Sequence, residues 1–121
     1  MLTLICGLPN AGKTTYSKKY NNVIHGDEIQ DFSEIYEIVS VMDDICVEWI
    51  FLDSYRRKKV LSAYRGDHKV CIWLDTSIEE CLKRENRNRG AAMVRNCSMI
   101  FEPPTFDEGW DEIIRIENNG E

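Results

Sequence analysis

Five apolar runs recur along the chain: LTLIC (2 to 6), NVIHG (22 to 26), VEWIFLD (47 to 53), KVCIWLD (69 to 75) and EIIRIE (112 to 117). Each ends in polar or small residues, and their length predicts short buried strands. Apolar positions at helical spacing fill the intervals at 13 to 20, about 29 to 45, about 55 to 65 and about 77 to 89. A further helix is expected over 92 to 102, stopped by Pro103 and Pro104, neither of which sustains a helix interior. Strands alternating with helices predict an α/β fold, a parallel sheet covered on both faces. The closing NNGE is expected to fray.

Composition narrows this picture. A chain of 121 residues predicts a single domain over 1–121, and 43% hydrophobic residues exclude a disordered tail. Cys6, Cys46, Cys71, Cys81 and Cys97 sit in apolar segments with no CxxC pair, so they read as buried reduced thiols, with no disulfides and no metal cluster. No apolar stretch approaches membrane-spanning length, and LTLIC follows Met1 without a basic region or cleavage site. A cytoplasmic protein with no membrane partner is expected.

The net charge of −6 argues against a general nucleic-acid coat, but the charge is segregated. Residues 27 to 54 hold nine acidic residues and no Lys or Arg, whereas 55 to 95 hold 11 basic residues against five acidic. Basic segments could still converge on an anion.

Chemistry enters at LICGLPNAGKT (4 to 14), where GLPNAGKT fits G-x-x-x-x-G-K-[ST] between a predicted strand and a predicted helix. Gly7 and Gly12 permit the close backbone approach a phosphate requires. The loop residues Gly7, Leu8, Pro9, Asn10, Ala11, Gly12, Lys13, Thr14 and Thr15 would surround phosphate oxygens with amide N–H groups at a helix N-terminus. Lys13 would reach the β and γ phosphates of ATP, and the Thr14 hydroxyl would bind the bridging Mg2+. Such a loop binds a nucleoside triphosphate in switches, motors and kinases alike.

Further charged groups favour a kinase. Asp27, after the second strand in HGDEIQ, stands where an acceptor hydroxyl must lose its proton, making it the candidate general base, with Glu28 its local competitor. His25 reads as a packed or exposed histidine. Asp53, at the end of VEWIFLD, is the candidate second acid for Mg2+, and it is also placed to cap the next helix. In CLKRENRNRG, Arg84, Arg87 and Arg89 are candidates for a lid over about 77 to 95 that pairs with charge on the γ-oxygens. YRRKKVLSAYR, carrying Arg56, Arg57, Lys58 and Lys59, is a second basic helix that could line an anionic acceptor path or simply face solvent.

GLPNAGKT, the two aspartates, the R-x-x-R-x-RG lid and the closing FEPPTFDEGWDEIIRIE occur together and in order. In this the chain resembles the polynucleotide 5′-hydroxyl kinase branch of P-loop phosphotransferases, over nearly its whole length. The resemblance implies a P-loop three-layer sandwich with a parallel sheet of about five strands in the order 2-3-1-4-5. It also implies ATP as donor and a 5′-OH DNA or RNA end as acceptor. It gives Lys13 and Thr14 the phosphate and metal roles, Asp27 the base, Asp53 the second acid, and Arg89 with Arg84 or Arg87 the lid. The chain departs from that pattern at Gln30, where the phage enzymes carry an arginine that grips the acceptor, at DSYR after the second acid, and in the shorter stretch between Asp27 and Asp53.

The leading expectation is therefore an ATP-dependent phosphotransferase acting on a 5′-OH polynucleotide end. A kinase for a small molecule such as a nucleoside, sugar or antibiotic is the alternative. A non-kinase module that binds and slowly hydrolyses ATP is the third reading.

Overall fold

The structure, a computed structural model, describes residues 1–85 and 90–118. Five strands, β1 (Leu2–Gly7), β2 (Val23–His25), β3 (Ile45–Glu48), β4 (Lys69–Leu74) and β5 (Glu112–Ile116), form one sheet in the order β2-β3-β1-β4-β5. All neighbouring pairs are parallel. This is the predicted α/β fold with the 2-3-1-4-5 order. The connections carry α1 (Lys13–Ser17), α2 (Ser33–Val41), α3 (Ser54–Ala63), α4 (Ile78–Lys83) and α5 (Gly90–Ile100).

Side chains alternate across the strands, so each strand feeds two cores. On one face Leu2, Leu4, Cys6, Ile45, Val47 and Cys71 pack against Ile35 and Val39 of α2 and Val60 and Leu61 of α3. On the other, Ile5, Cys46, Val70, Ile72 and Leu74 meet Ala11, Cys81 of α4 and Val94 of α5. All five cysteines are buried and free, as expected, and burial pushes the Cys46 thiol up to about 12. Among the described residues no helix is long and apolar enough to cross a membrane.

The boundaries correct the sequence reading in places. The third strand runs over Ile45–Glu48, not to Asp53. Its register against β1 ends at the pair Ile5 and Glu48, and beyond that Phe51 takes φ 39°, which no strand accommodates. The apolar run continues because Phe51 and Leu52 are buried as loop residues. The first helix stops at Ser17, three residues before the predicted end. Nor is the tail wholly loose, since Asn118 is hydrogen-bonded to the loop after β1.

The closing motif has a structural task. Arg57, from the basic helix α3, is fully buried and forms a two-bond fork with Glu108, Nε to Oε1 and Nη2 to Oε2, each 2.9 Å. Trp110 Nε1 donates to the same carboxylate at 3.0 Å, and the third Arg57 bond, 2.9 Å from Nη1, goes to the carbonyl of Phe51. Burial works against the Glu108 carboxylate, but these donors outweigh it and hold its pKa below the ordinary value. Residues 105 to 110 thus fasten α3 and the strained turn that follows β3.

Candidate functional site

The carboxyl ends of β1, β2 and β3 open into a cleft of about 880 Å³. A parallel sheet places its ligand site there, where the crossovers leave in opposite directions. Three segments line it: the loop over 9–15, the turn after β2 with Gly26, Asp27, Ile29 and Phe32, and the β3 end with Glu48, Trp49 and Ile50. Arg84, Met93 and Asn118 close the remaining side.

The loop after β1 is held from behind. Gly12 takes φ 101°, in the left-handed region, immediately before α1. The Ala11 carbonyl accepts two hydrogen bonds of 2.9 Å, from Thr76 Oγ1 and from Asn118 Nδ2. Because the peptide is trans and planar, tying this carbonyl fixes the Gly12 N–H in the opposite direction. Asn10 Nδ2 donates to the Cys81 carbonyl and to Glu85 Oε2, joining the loop to α4. With only five residues, α1 has little macrodipole to offer, so an anion here would depend on loop amides and Lys13.

Lys13 is buried and turns back onto its own loop. Its Nζ donates to the carbonyls of Gly7 at 3.1 Å and Leu8 at 2.7 Å. Burial lowers its pKa, while the nearby carboxylates of Glu48 and Asp27 work to raise it. A cation poised among neutral carbonyls would exchange them readily for phosphate oxygens, which make stronger charge-assisted bonds.

Of the two aspartates singled out in the sequence, one lies in the cleft. Asp27 sits in a single 3-10 turn (Gly26–Glu28) at the cleft wall, whereas exposed Glu28 and Gln30 do not line it. Asp53 takes the helix-capping place that the sequence also allowed. Its carboxylate caps α3, accepting from Arg56 N at 2.9 Å and from Arg56 Nη1 at 2.6 Å, and it does not line the cleft. The acid beside the phosphate loop is Glu48, 3% exposed, on the side of the sheet that faces α1. Sequence reasoning passed over it because VEWIFLD reads as one apolar run. The available signal was strand length, since four residues of ICVE suffice to pair with β1.

His25 does not line the cleft but partners Glu48, which does. It lies opposite Glu48 in the β2–β3 register, and its Nδ1 is 2.9 Å from Glu48 Oε1. The expectation of a packed or exposed histidine named no partner for it, and the structure supplies Glu48. A glycine is needed at position 26, because a Cβ there would lie 2.6 Å from Trp49 Cγ. Trp49 is further braced edge-on by Phe32 and Phe51, at centroid distances of 4.5 and 5.5 Å.

The arginine run is only partly within view. Arg84 Nη1 donates to the Asn10 carbonyl at 3.1 Å, Nη2 to the Asn118 carbonyl at 3.0 Å, and Nε to Glu80 at 3.1 Å. Arg87 and Arg89 lie outside the described residues. The second basic helix does not line the cleft: Arg57 is buried against Glu108 and Arg56 pairs with Asp53. Lys58 and Lys59 lie in a shallow patch with Tyr36 and Tyr55.

No protein-family model matches the chain, and no curated protein matches it in sequence. Solved structures do. A gluconokinase from Sinorhizobium meliloti 1021 superposes with a TM-score of 0.70 at 14% identity, covering 96% of this chain and 81% of that one. A protein designated APE1195 superposes with a TM-score of 0.66 at 16% identity, covering 94% and 83%. At these identities the likeness is one of fold, the five-stranded parallel α/β sheet with helices on both faces.

Proposed function

We propose that the chain is an ATP-dependent kinase that transfers the γ-phosphate to a hydroxyl of a small-molecule acceptor. The observation that carries this reading is that Lys13, Thr14, Asp27 and Glu48 line one cleft at the carboxyl ends of β1, β2 and β3. A phosphate loop alone fits many roles. A loop facing a carboxylate across a cleft fits phosphotransfer to a second substrate.

In this reading the loop residues 7–15 hold the ATP phosphates, and Lys13 shifts its hydrogen bonds from the Gly7 and Leu8 carbonyls to phosphate oxygens. Asp27 takes the proton of the attacking hydroxyl. Arg84, with Arg87 or Arg89, supplies the charge that meets the γ-oxygens as the transition state forms. The donor set suits Mg2+: the Thr14 hydroxyl and the Glu48 carboxylate are hard oxygen ligands, and Mg2+ beside a nucleotide needs only one or two from the protein. When bound, the ion neutralises phosphate charge. Asp53, committed to its cap, is replaced by Glu48 in this role.

Two observations favour a small acceptor. The basic helix expected to attract a polyanion is turned away from the cleft, and a gluconokinase, a small-molecule kinase, shares the fold. The 5′-OH polynucleotide end stands as the second reading, favoured by the ordered motifs from GLPNAGKT to FEPPTFDEGW. The test is incubation with Mg2+ and γ-labelled ATP and, in turn, nucleosides, sugars, gluconate, 5′-OH DNA, 5′-OH RNA or no acceptor. Label on a small molecule, lost in Lys13→Ala and Asp27→Asn, is the expected result. Label on oligonucleotides alone would reinstate the second reading, and label only as free phosphate would overturn phosphotransfer.

A further inference from the structure

The acceptor side of the cleft has a chemistry of its own, and the inference from it rests on the kinase reading above. Its wall comes from the turn after β2 and the turn after β3: Ile29, Phe32, Trp49 and Ile50, with the carboxylates of Asp27 and Glu48. The aromatic part of this wall is rigid. Trp49 is held by close approach of Gly26, by T-shaped contacts with Phe32 and Phe51, and by its backbone N–H donating to the Ile5 carbonyl at 3.1 Å. A half-buried indole that lines the cleft and is held this firmly offers apolar contact area at little entropic cost.

The charges on the same side are negative. Among the described residues the cations lining the cleft are Lys13 and Arg84, and both are engaged with the phosphate loop, Lys13 on the Gly7 and Leu8 carbonyls and Arg84 on the Asn10 carbonyl. Gln30, one turn beyond Asp27, is exposed outside the cleft. An acceptor carrying a carboxylate or phosphate would approach the Asp27 carboxylate and an apolar wall, with no fork of N–H donors among the described residues of that wall to receive it. An uncharged ring compound would cover Trp49 and Phe32 and leave its hydroxyl for Asp27.

We infer that the acceptor is an uncharged, hydroxyl-bearing compound with an aromatic or apolar ring face, of nucleoside type, and that the site rejects acceptors bearing an anionic group. The volume agrees, since about 880 Å³ for donor and acceptor together suits a small ligand beside the nucleotide.

The decisive comparison is between a nucleoside and its own 3′-monophosphate, which differ by one anionic group. Two readouts are needed: label transfer from γ-labelled ATP, and equilibrium binding by calorimetry in the presence of Mg2+ and a non-hydrolysable ATP analogue. The nucleoside is expected to bind at least about 10-fold more tightly than its 3′-monophosphate. Trp49→Ala should weaken nucleoside binding by about 10-fold or more and Trp49→Phe by less, with the affinity for the ATP analogue unchanged in both. Because Trp49→Ala also removes packing, a gain-of-function variant guards the test: Ile29→Arg should bring the 3′-monophosphate level with the nucleoside or above it.

Nucleoside preference in binding without label transfer would sustain the pocket assignment and sink the kinase reading. Equal or tighter binding of the 3′-monophosphate, or of gluconate, would overturn the assignment even if the protein proved a kinase. An Ile29→Arg variant that folds but leaves the preference unmoved would also overturn it.

Discussion

His25 Nδ1 lies 2.9 Å from Glu48 Oε1, and the parallel register of β2 on β3 sets the two residues side by side. A nearly buried carboxylate with a hydrogen-bonded partner is held in one orientation, as a group that positions an ion or its waters must be. Glu48→Gln is therefore expected to lower turnover by about 10- to 100-fold, with His25→Ala giving a smaller loss in the same direction. Asp53→Ala should leave turnover near that of the parent while costing about 1 kcal/mol of stability, the worth of an N-cap. Initial rates beside urea titrations check both, and the opposite ranking of rates would return the metal role to Asp53.

Asp27 carries the proton transfer in the proposed reaction. Asp27→Asn keeps the shape and loses the base, so turnover should fall by about 10²- to 10⁴-fold while ATP affinity by calorimetry stays within a few fold of the parent. A variant that retains turnover would reassign the base.

Asn118 touches the phosphate loop through the 2.9 Å bond to the Ala11 carbonyl. One such bond contributes about 0.5–1.5 kcal/mol, so Asn118→Ala should raise the KM for ATP by about 2- to 10-fold and leave the acceptor KM alone. Steady-state kinetics with each substrate varied in turn separate the two. An unchanged ATP KM would show that the contact does not shape the loop.

Glu108→Ala leaves the Arg57 guanidinium buried without its carboxylate, and breaking such a pair costs about 3–5 kcal/mol. The sign of the pH effect follows from the lowered Glu108 pKa. The stabilisation is fully present above the ordinary carboxyl value of 4.5 and is lost as pH falls through the lower native value. Parent protein should thus lose stability in that acid window, and Glu108→Ala should lose less there. Thermal melts across pH on both proteins provide the comparison.

The alternation of strands and helices and the glycine-rich loop were legible because each rests on local pattern, apolar runs of limited length and glycines, a lysine and a threonine at set spacing, whereas the strand order came only from the resemblance. Asp27 was legible for the same reason, following its strand directly. Glu48 was not, because Trp49 to Leu52 are as apolar as a strand while being packed as a turn. Asn118 was also hidden, since a polar residue in NNGE gives no local sign that it meets a loop 107 residues earlier. FEPPTFDEGW stood out as a mark of kinship, yet its Glu108 and Trp110 serve a buried ion pair.

What the sequence by itself determined is a glycine-rich loop with its lysine and threonine, and the alternation of strands and helices that sets them at the end of a strand. Those features depend on spacing within a few residues, where backbone geometry follows from residue type. Tertiary structure alone decided which acid stands beside that loop, where the basic helix points and which side chains wall the cleft. Each of these depends on where a strand leaves the sheet and on which side chains meet across it, and pairing between distant segments leaves no local pattern.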